Sequence, residues 1–323
     1  MSRIGSLAIV LPLLLAACPA SRVSVPAPLQ AEALAPGVWL QRGTFVAGQQ
    51  PDGNSVLLRG RDGLVVFDTG RHAMHAQHII DAAHALRVPV AAIINSHWHL
   101  DHVSGNGALR TAYPQAQVFA SDAIEQALAG FLADYRTQLQ QQVAHAPTGS
   151  SERNGWREEI ARIDQGTRLF PTQVVTADAD RDIAGRALHV GLVRNAVSGG
   201  DVWILDKASG VLASGDLVTL PVPLLDTACP DGWRDSLRRL DGESFRILVP
   251  GHGAPMTHAQ LHTYRVAFDH LLACTAGTAT DAQCHRGWID DAGALIPATH
   301  PQVVRLRAIA KRIIPSATRW NPE

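Results

Sequence analysis

Four side chains able to ligate a metal fall within the stretch Asn95-Ser96-His97-Trp98-His99-Leu100-Asp101-His102. His97 and His99 stand two positions apart and can converge on one ion. Asp101 and His102 are adjacent, and on a bending backbone they can point to a second position close by. Imidazole and carboxylate together suit zinc, and also manganese or iron, better than they suit calcium or magnesium. The run Val90 to Ile94 that leads into the cluster is apolar and rich in β-branched residues and alanine, so it reads as a buried strand. The expectation is a metal-binding loop held on the rigid edge of a sheet.

Three more stretches place a polar residue just beyond an apolar run. Gly63-Leu64-Val65-Val66-Phe67-Asp68-Thr69-Gly70 reads as a buried strand ending in a turn. Val211 to Ala213 runs into Ser214-Gly215-Asp216, and Phe245 to Val249 ends in Pro250-Gly251-His252-Gly253. With His-x-His-x-Asp-His, these stretches resemble the motifs of the metallo-β-lactamase superfamily, which includes glyoxalase II, lactonases, sulfatases and β-lactamases. The resemblance covers about Val38 to Pro255. It implies an α/β fold, a four-layer αββα sandwich, here carrying a helical insertion. It also implies a dinuclear site in which Asp216 bridges, with His97 and His99 on metal one and Asp101, His102 and His252 on metal two. Asp68 would lie beneath the ligand loop and hold it. Asp101 would be the catalytic residue, orienting the nucleophile as well as ligating. The implied cofactor is one or two zinc ions, with manganese or iron as alternatives.

The chain departs from that pattern at one position. Where the family places another histidine, in a segment like His-Thr-x-Gly-Asp, this chain has Val197-Ser198-Gly199-Gly200-Asp201. Valine cannot coordinate a metal. His189 lies eight residues earlier and reads as a strand residue, while Asn195 is near enough to be a weak substitute. Each metal retains three protein ligands if Asp216 bridges, which still makes an open catalytic site.

The reaction implied is hydrolysis of an ester, thioester or amide-type bond in a small-molecule substrate by metal-bound hydroxide. No Gly-x-Ser-x-Gly stretch offers a serine nucleophile instead. One alternative is a β-lactamase proper, although Leu217, Val218 and Thr219 follow Asp216 with no lysine to grip a lactam carboxylate. A second is a metal-binding protein whose catalysis is weakened by Val197.

Composition narrows the class further. With 323 residues, 46% of them hydrophobic and 18% charged, the chain can bury a substantial core. A formal charge of −1 gives no electrostatic case for nucleic acid or an anionic membrane surface. Met1 to Ala17 combines one basic residue, Arg3, with an apolar run through Leu15, the anatomy of an export signal. Leu15-Ala16-Ala17-Cys18 resembles a bacterial lipobox, which implies cleavage before Cys18, lipid on its sulfur and an anchor in a membrane. By resemblance to Gram-negative lipoproteins, Pro19 rather than Asp implies the outer membrane, facing the periplasm; the alternative is cleavage after Ala20 and a soluble periplasmic protein. Residues 18–33 read as a tether and 34–323 as the domain. In an oxidising compartment Cys274 and Cys284 are expected to pair across a short loop, leaving Cys229 odd. Oligomeric state is not legible.

The remaining elements follow from periodicity. Val38 to Val46, Ser55 to Leu58, Val174 to Ala177, Arg186 to Val193 and Asp201 to Leu205 read as strands. Ala73 to Leu86 reads as a helix carrying His75, His78 and His84, with His72 just before it, all expected to be solvated. The insertion, about residues 121–163, reads as a helix from Ser121, capped by Ser121 and Asp122, to about Ala144, then a second from Trp156 to about Ile163. Met256 to Cys274 and Val303 to Ile313 are expected to finish an outer helical layer.

Overall fold

The structure is a computed structural model that describes residues 30–46 and 49–296. The expected signal segment, Cys18, most of the tether and the expected helix from Val303 to Ile313 lie outside the described residues.

Among the described residues, seven strands form the first sheet in sequence order. They are β1 (Glu32–Ala35), β2 (Val38–Gln41), β3 (Ser55–Arg59), β4 (Leu64–Phe67), β5 (Val90–Ile94), β6 (Gln117–Ala120) and β7 (Gln173–Val174). The second sheet holds β8 (Ala179–Ile183), β9 (Arg186–Val193), β10 (Asp201–Asp206), β11 (Val211–Thr219) and β12 (Ile247–His252), ordered β12-β11-β10-β9-β8. The helices are α1 (Ala73–Leu86), α2 (Leu100–Val103), α3 (Asn106–Ala112), α4 (Ala123–Ala129), α5 (Phe131–His145), α6 (Ser151–Ile163), α7 (Pro230–Asp241), α8 (His258–Thr275) and α9 (Asp281–Ala292).

Strands β4, β5 and β6 run parallel, so their connections must cross over a face of the sheet. Helix α1 makes the first crossover, and α2 and α3 make the second. Every residue of β4 is buried because alternate side chains feed two different cores. Leu64 and Val66 pack with Ile79 and Ala83 of α1. Val65 and Phe67 face the other sheet and join Ile204 of β10 and Ala213 of β11. The second sheet repeats the pattern: Trp203 and Leu205 of β10 turn outward against Trp233 of α7 and Phe268 of α8. Three stacked cores between four layers make the α/β sandwich expected from the sequence. Each fully buried aliphatic side chain contributes about 1.5–3 kcal/mol, so the sheets hold their ligand loops on a stiff support.

Several boundaries differ from expectation. The strand expected to run to Val46 ends at Gln41. The tether expected through Ala33 overlaps β1, where Glu32 and Ala33 pair with Leu40 and Trp39. The first insertion helix is broken at Gly130 (φ −116°, ψ −102°), which separates α4 from α5. Neither expected cap acts there: the Ser121 hydroxyl donates to Gly200 O at 2.7 Å and Asp122 binds Arg194. His75 is not solvated but buried, with its Nε2 at 2.8 Å from the Ser55 hydroxyl. Cys274 and Cys284 form a disulfide joining α8 to α9, and Cys229 is free.

Candidate metal centre

The loop after β5 carries His97 and His99, the short helix α2 carries Asp101 and His102, and both are held from below by Asp68. Asp68 directly follows β4 with a positive φ of 59° and is fully buried. One carboxylate oxygen accepts from the Ser96 backbone N–H at 2.7 Å. The other accepts from the Ser96 hydroxyl at 2.7 Å and lies 2.8 Å from His102 Nδ1. Burial raises the Asp68 carboxyl above its usual range, while His102 and Ser96 oppose that rise by favouring the anion.

These bonds fix which nitrogen of each imidazole is bare. The single Ser96 hydroxyl proton goes to Asp68, so Ser96 Oγ accepts from His97 Nδ1–H at 2.9 Å. His97 Nε2 is left with its lone pair, and it is buried without a hydrogen-bond partner. The His102 Nδ1–H donates to Asp68, and His102 Nε2 is likewise buried and unpartnered. For His99, the Thr227 hydroxyl donates to Val197 O at 3.1 Å and therefore accepts from Nε2–H at 2.9 Å, which leaves Nδ1 bare. Burial drives His97 and His99 below the usual imidazole range, favouring the neutral form a metal requires.

Two groups of ligand atoms result: His97, His99 and Asp216 in one, Asp101, His102 and His252 in the other. Asp216 reaches both, with Oδ2 at 3.9 Å from His97 Nε2 and Oδ1 at 3.5 Å from His102 Nε2 and 3.7 Å from His252 Nε2. Asp101 Oδ2 lies 3.7 Å from His102 Nε2 and 2.9 Å from His252 Nε2. Two ligands on one tetrahedral zinc stand about 3.4 Å apart, given bond lengths near 2.0–2.2 Å. The spacing, the orphaned buried nitrogens and the unpartnered Asp216 Oδ1 all fit a pair of divalent cations. Burial opposes ionisation of Asp101, but His102, His252 and Arg71 outweigh it and hold the carboxyl well below its usual range.

Glycines make room for this convergence. Gly215 has φ +53°, and a Cβ there would strike the Ser96 side chain. A Cβ on Gly251 would collide with Asp216 Oδ1. Asn54 then ties the His252 loop to β3 by donating to Pro250 O at 2.9 Å and Gly253 O at 3.0 Å.

The histidine missing from the sequence pattern is not replaced by the nearby candidates. Val197 is buried in the core beneath α7, and its carbonyl serves Thr227. Asn195 is exposed in a turn with φ 54° and stands outside both groups. His189 lies on β9 and binds Asp180.

Both groups open into a cavity of about 420 Å³. Its floor includes His99, Asp101, Asp216 and His252; α5 contributes Phe131, Leu132 and Tyr135, and α6 contributes Glu159. The insertion is thus a wall of the site. Sequence reasoning missed Arg71, which follows Asp68-Thr69-Gly70 and is buried against both Asp101 and Glu159. It also missed Thr227, Ser96 and Asn54. Only Ser96 carried a local signal, its place beside His97.

A family model described as the metallo-beta-lactamase superfamily matches residues 49–252. No curated protein matches. Among solved structures, a metallo-beta-lactamase from Hirschia baltica is similar at 18% identity and a TM-score of 0.54, covering 74% of this chain and 97% of that one. A metallo-beta-lactamase from Pontibacter korlensis gives 18% and 0.55, covering 75% of this chain and 99% of that one. The metallo-beta-lactamase FIM-1 from Pseudomonas aeruginosa, in a mono-zinc form, gives 13% and 0.55, covering 75% and 96%. At these identities the likeness concerns the fold. With a family model matched over more than half its length, and the ligand groups assembled inside that span, the chain belongs to the metallo-beta-lactamase superfamily.

Proposed function

We propose that this protein is a metal-dependent hydrolase, working with zinc on an ester, thioester or amide-type bond of a small molecule. The observation that carries the reading is the pair of ligand groups sharing Asp216 on the floor of an open cavity. His97, His99 and Asp216 would hold one ion; Asp101, His102, His252 and the other oxygen of Asp216 would hold the second. When bound, the ions lower the pKa of a coordinated water and polarise the bond to be cut.

The chain's own residues do the rest. Asp101, largely buried and steadied by Arg71, directs one carboxylate oxygen to the floor, where it orients the attacking water. Asp68 and Ser96 keep His97 and His102 in the tautomers that present Nε2. Trp98, Phe131 and Leu132 exclude bulk water from one side.

The test is turnover of an acyl ester, a thioester and a β-lactam by zinc-loaded protein. Asp101→Ala should lower kcat/KM by about 10²-fold or more, the cost of losing the group that positions the nucleophile. Full activity in that variant would contradict the assignment. The β-lactam is included because the similar structures bear that enzyme's name. The sequence Leu217-Val218-Thr219 after Asp216 argues against it as the main substrate.

The same proposal places the protein at the outer membrane, lipid-anchored through Cys18 and facing the periplasm, on the strength of Leu15-Ala16-Ala17-Cys18 and Pro19. Labelled palmitate should enter the wild-type chain and not Cys18→Ser. Label in the variant would refute the anchor.

A further inference from the structure

Among the described residues, the cavity wall around the metal centre contains one guanidinium, Arg71, and its charge is already paired with two carboxylates, Asp101 and Glu159. Arg71 Nε donates to Pro51 O at 3.2 Å, one terminal nitrogen stands 3.6 Å from Asp101 Oδ1, and the other is bonded to Glu159. Its side chain is only 10% exposed. Arg162 lies behind the wall, donating to Glu159 Oε2 at 3.2 Å and to the Arg71 carbonyl at 3.0 Å. Among the described residues lining the cavity there is no lysine and no second arginine, and Asp226 adds a further carboxylate. A substrate carboxylate placed against this wall would find its only cation already paired with Asp101 and Glu159, and it would meet Asp226 as a further like charge. Leaving a charge desolvated and unpaired is costly enough to decide selectivity.

What the wall does offer is apolar. Phe45, Trp98, Phe131, Val222 and Leu224 surround the opening. Phe131 and Leu224 remain 47% and 46% exposed at its lip, where large hydrophobic side chains gain nothing unless something covers them. A volume of about 420 Å³ accommodates a medium-length acyl or aryl group.

From this arrangement we infer that the substrate class is an uncharged acyl ester or lactone with an apolar body, and that the Arg71–Glu159 pair selects against acyl groups bearing a distal carboxylate. The inference rests on the hydrolase reading of the same site. In the reaction the oxygen of water bonds to the acyl carbon and the C–O bond to the alcohol breaks. One water proton passes to the leaving alkoxide, and the other leaves with ionisation of the acid.

The test compares two esters with acyl chains of equal length, 4-nitrophenyl hexanoate and mono-4-nitrophenyl adipate, on zinc-loaded protein. The expected result is a kcat/KM at least tenfold higher for the hexanoate. Glu159→Gln, which releases one edge of Arg71, should shrink that ratio at least threefold, mainly through KM of the adipate. A wild-type ratio at or below one, or a ratio unmoved by Glu159→Gln while the variant stays folded by circular dichroism, would overturn the proposal. Should neither ester turn over with metal bound, the hydrolase reading fails, and binding decides the selectivity separately. Neutral Nile red should then quench Trp98 and bind more tightly than anionic anilinonaphthalene sulfonate. The opposite order would overturn the inferred selectivity.

Discussion

Asp68 does not line the cavity above the metal centre, yet it sets the tautomers of two candidate ligands through three short hydrogen bonds. Asp68→Ala should therefore weaken metal binding about ten- to hundredfold, the usual effect of removing a ligand's supporting acceptor. Competition with a chromophoric chelator would measure it, and an unchanged affinity would show that Ser96 and packing suffice. His75 makes a separate prediction about stability. Burial, against the pull of Asp52, pushes its imidazole from 6.5 down to about 4. Between those values the unfolded chain binds the extra proton and the folded one does not, so stability rises with pH across that window. It is lost as pH falls from about 6.5 towards 4. Urea unfolding at pH 7 and pH 4.5 should show a smaller difference in His75→Gln than in the wild type. The sequence displayed all six candidate ligands because short motifs lie at or just beyond strand ends. It hid His75, whose burial depends on Ser55, twenty residues away along the chain and adjacent only once β3 and α1 pack.

At the scale of elements, the strands that feed two cores were legible because an unbroken apolar run such as Leu64 to Phe67 is buried on both faces. Polar β8, with the alternation Ala179-Asp180-Arg181-Asp182-Ile183, was missed, since it is an edge strand whose charges face solvent. Helix α7 escaped for a related reason, being mostly charged apart from Trp233, Leu237 and Leu240 on its buried stripe. The Cys274–Cys284 link fastens α9 to α8 across 10 positions. Replacing both cysteines by alanine should cost about 2–3 kcal/mol by loop-closure entropy, seen as a fall of several degrees in Tm. No fall would mean that Trp288 and the α8–α9 packing hold the pair alone. The insertion behaves as part of the site rather than as decoration, because α6 places Glu159 against Arg71 and Arg71 against Asp101. That link joins residues 71, 101 and 159, a separation no local pattern reports.

In the whole molecule, two sheets bring the ends of β4, β5, β11 and β12 to one edge of the sandwich, and that convergence gathers six candidate ligands from three separate stretches into one centre. Val197 removes an imidazole from the group containing His97 and His99, whereas the group containing Asp101, His102 and His252 is complete and more deeply buried. Two ions of unequal affinity are therefore expected. The most direct test is metal per chain by inductively coupled plasma mass spectrometry. The sample is protein starting after Cys18, saturated with zinc and dialysed against rising chelator, beside Asp216→Ala. About two ions per wild-type chain, falling to one at intermediate chelator, and fewer than one in Asp216→Ala, is the predicted result. Less than one zinc in the saturated wild type, or a content that Asp216→Ala leaves unchanged, would contradict the shared centre.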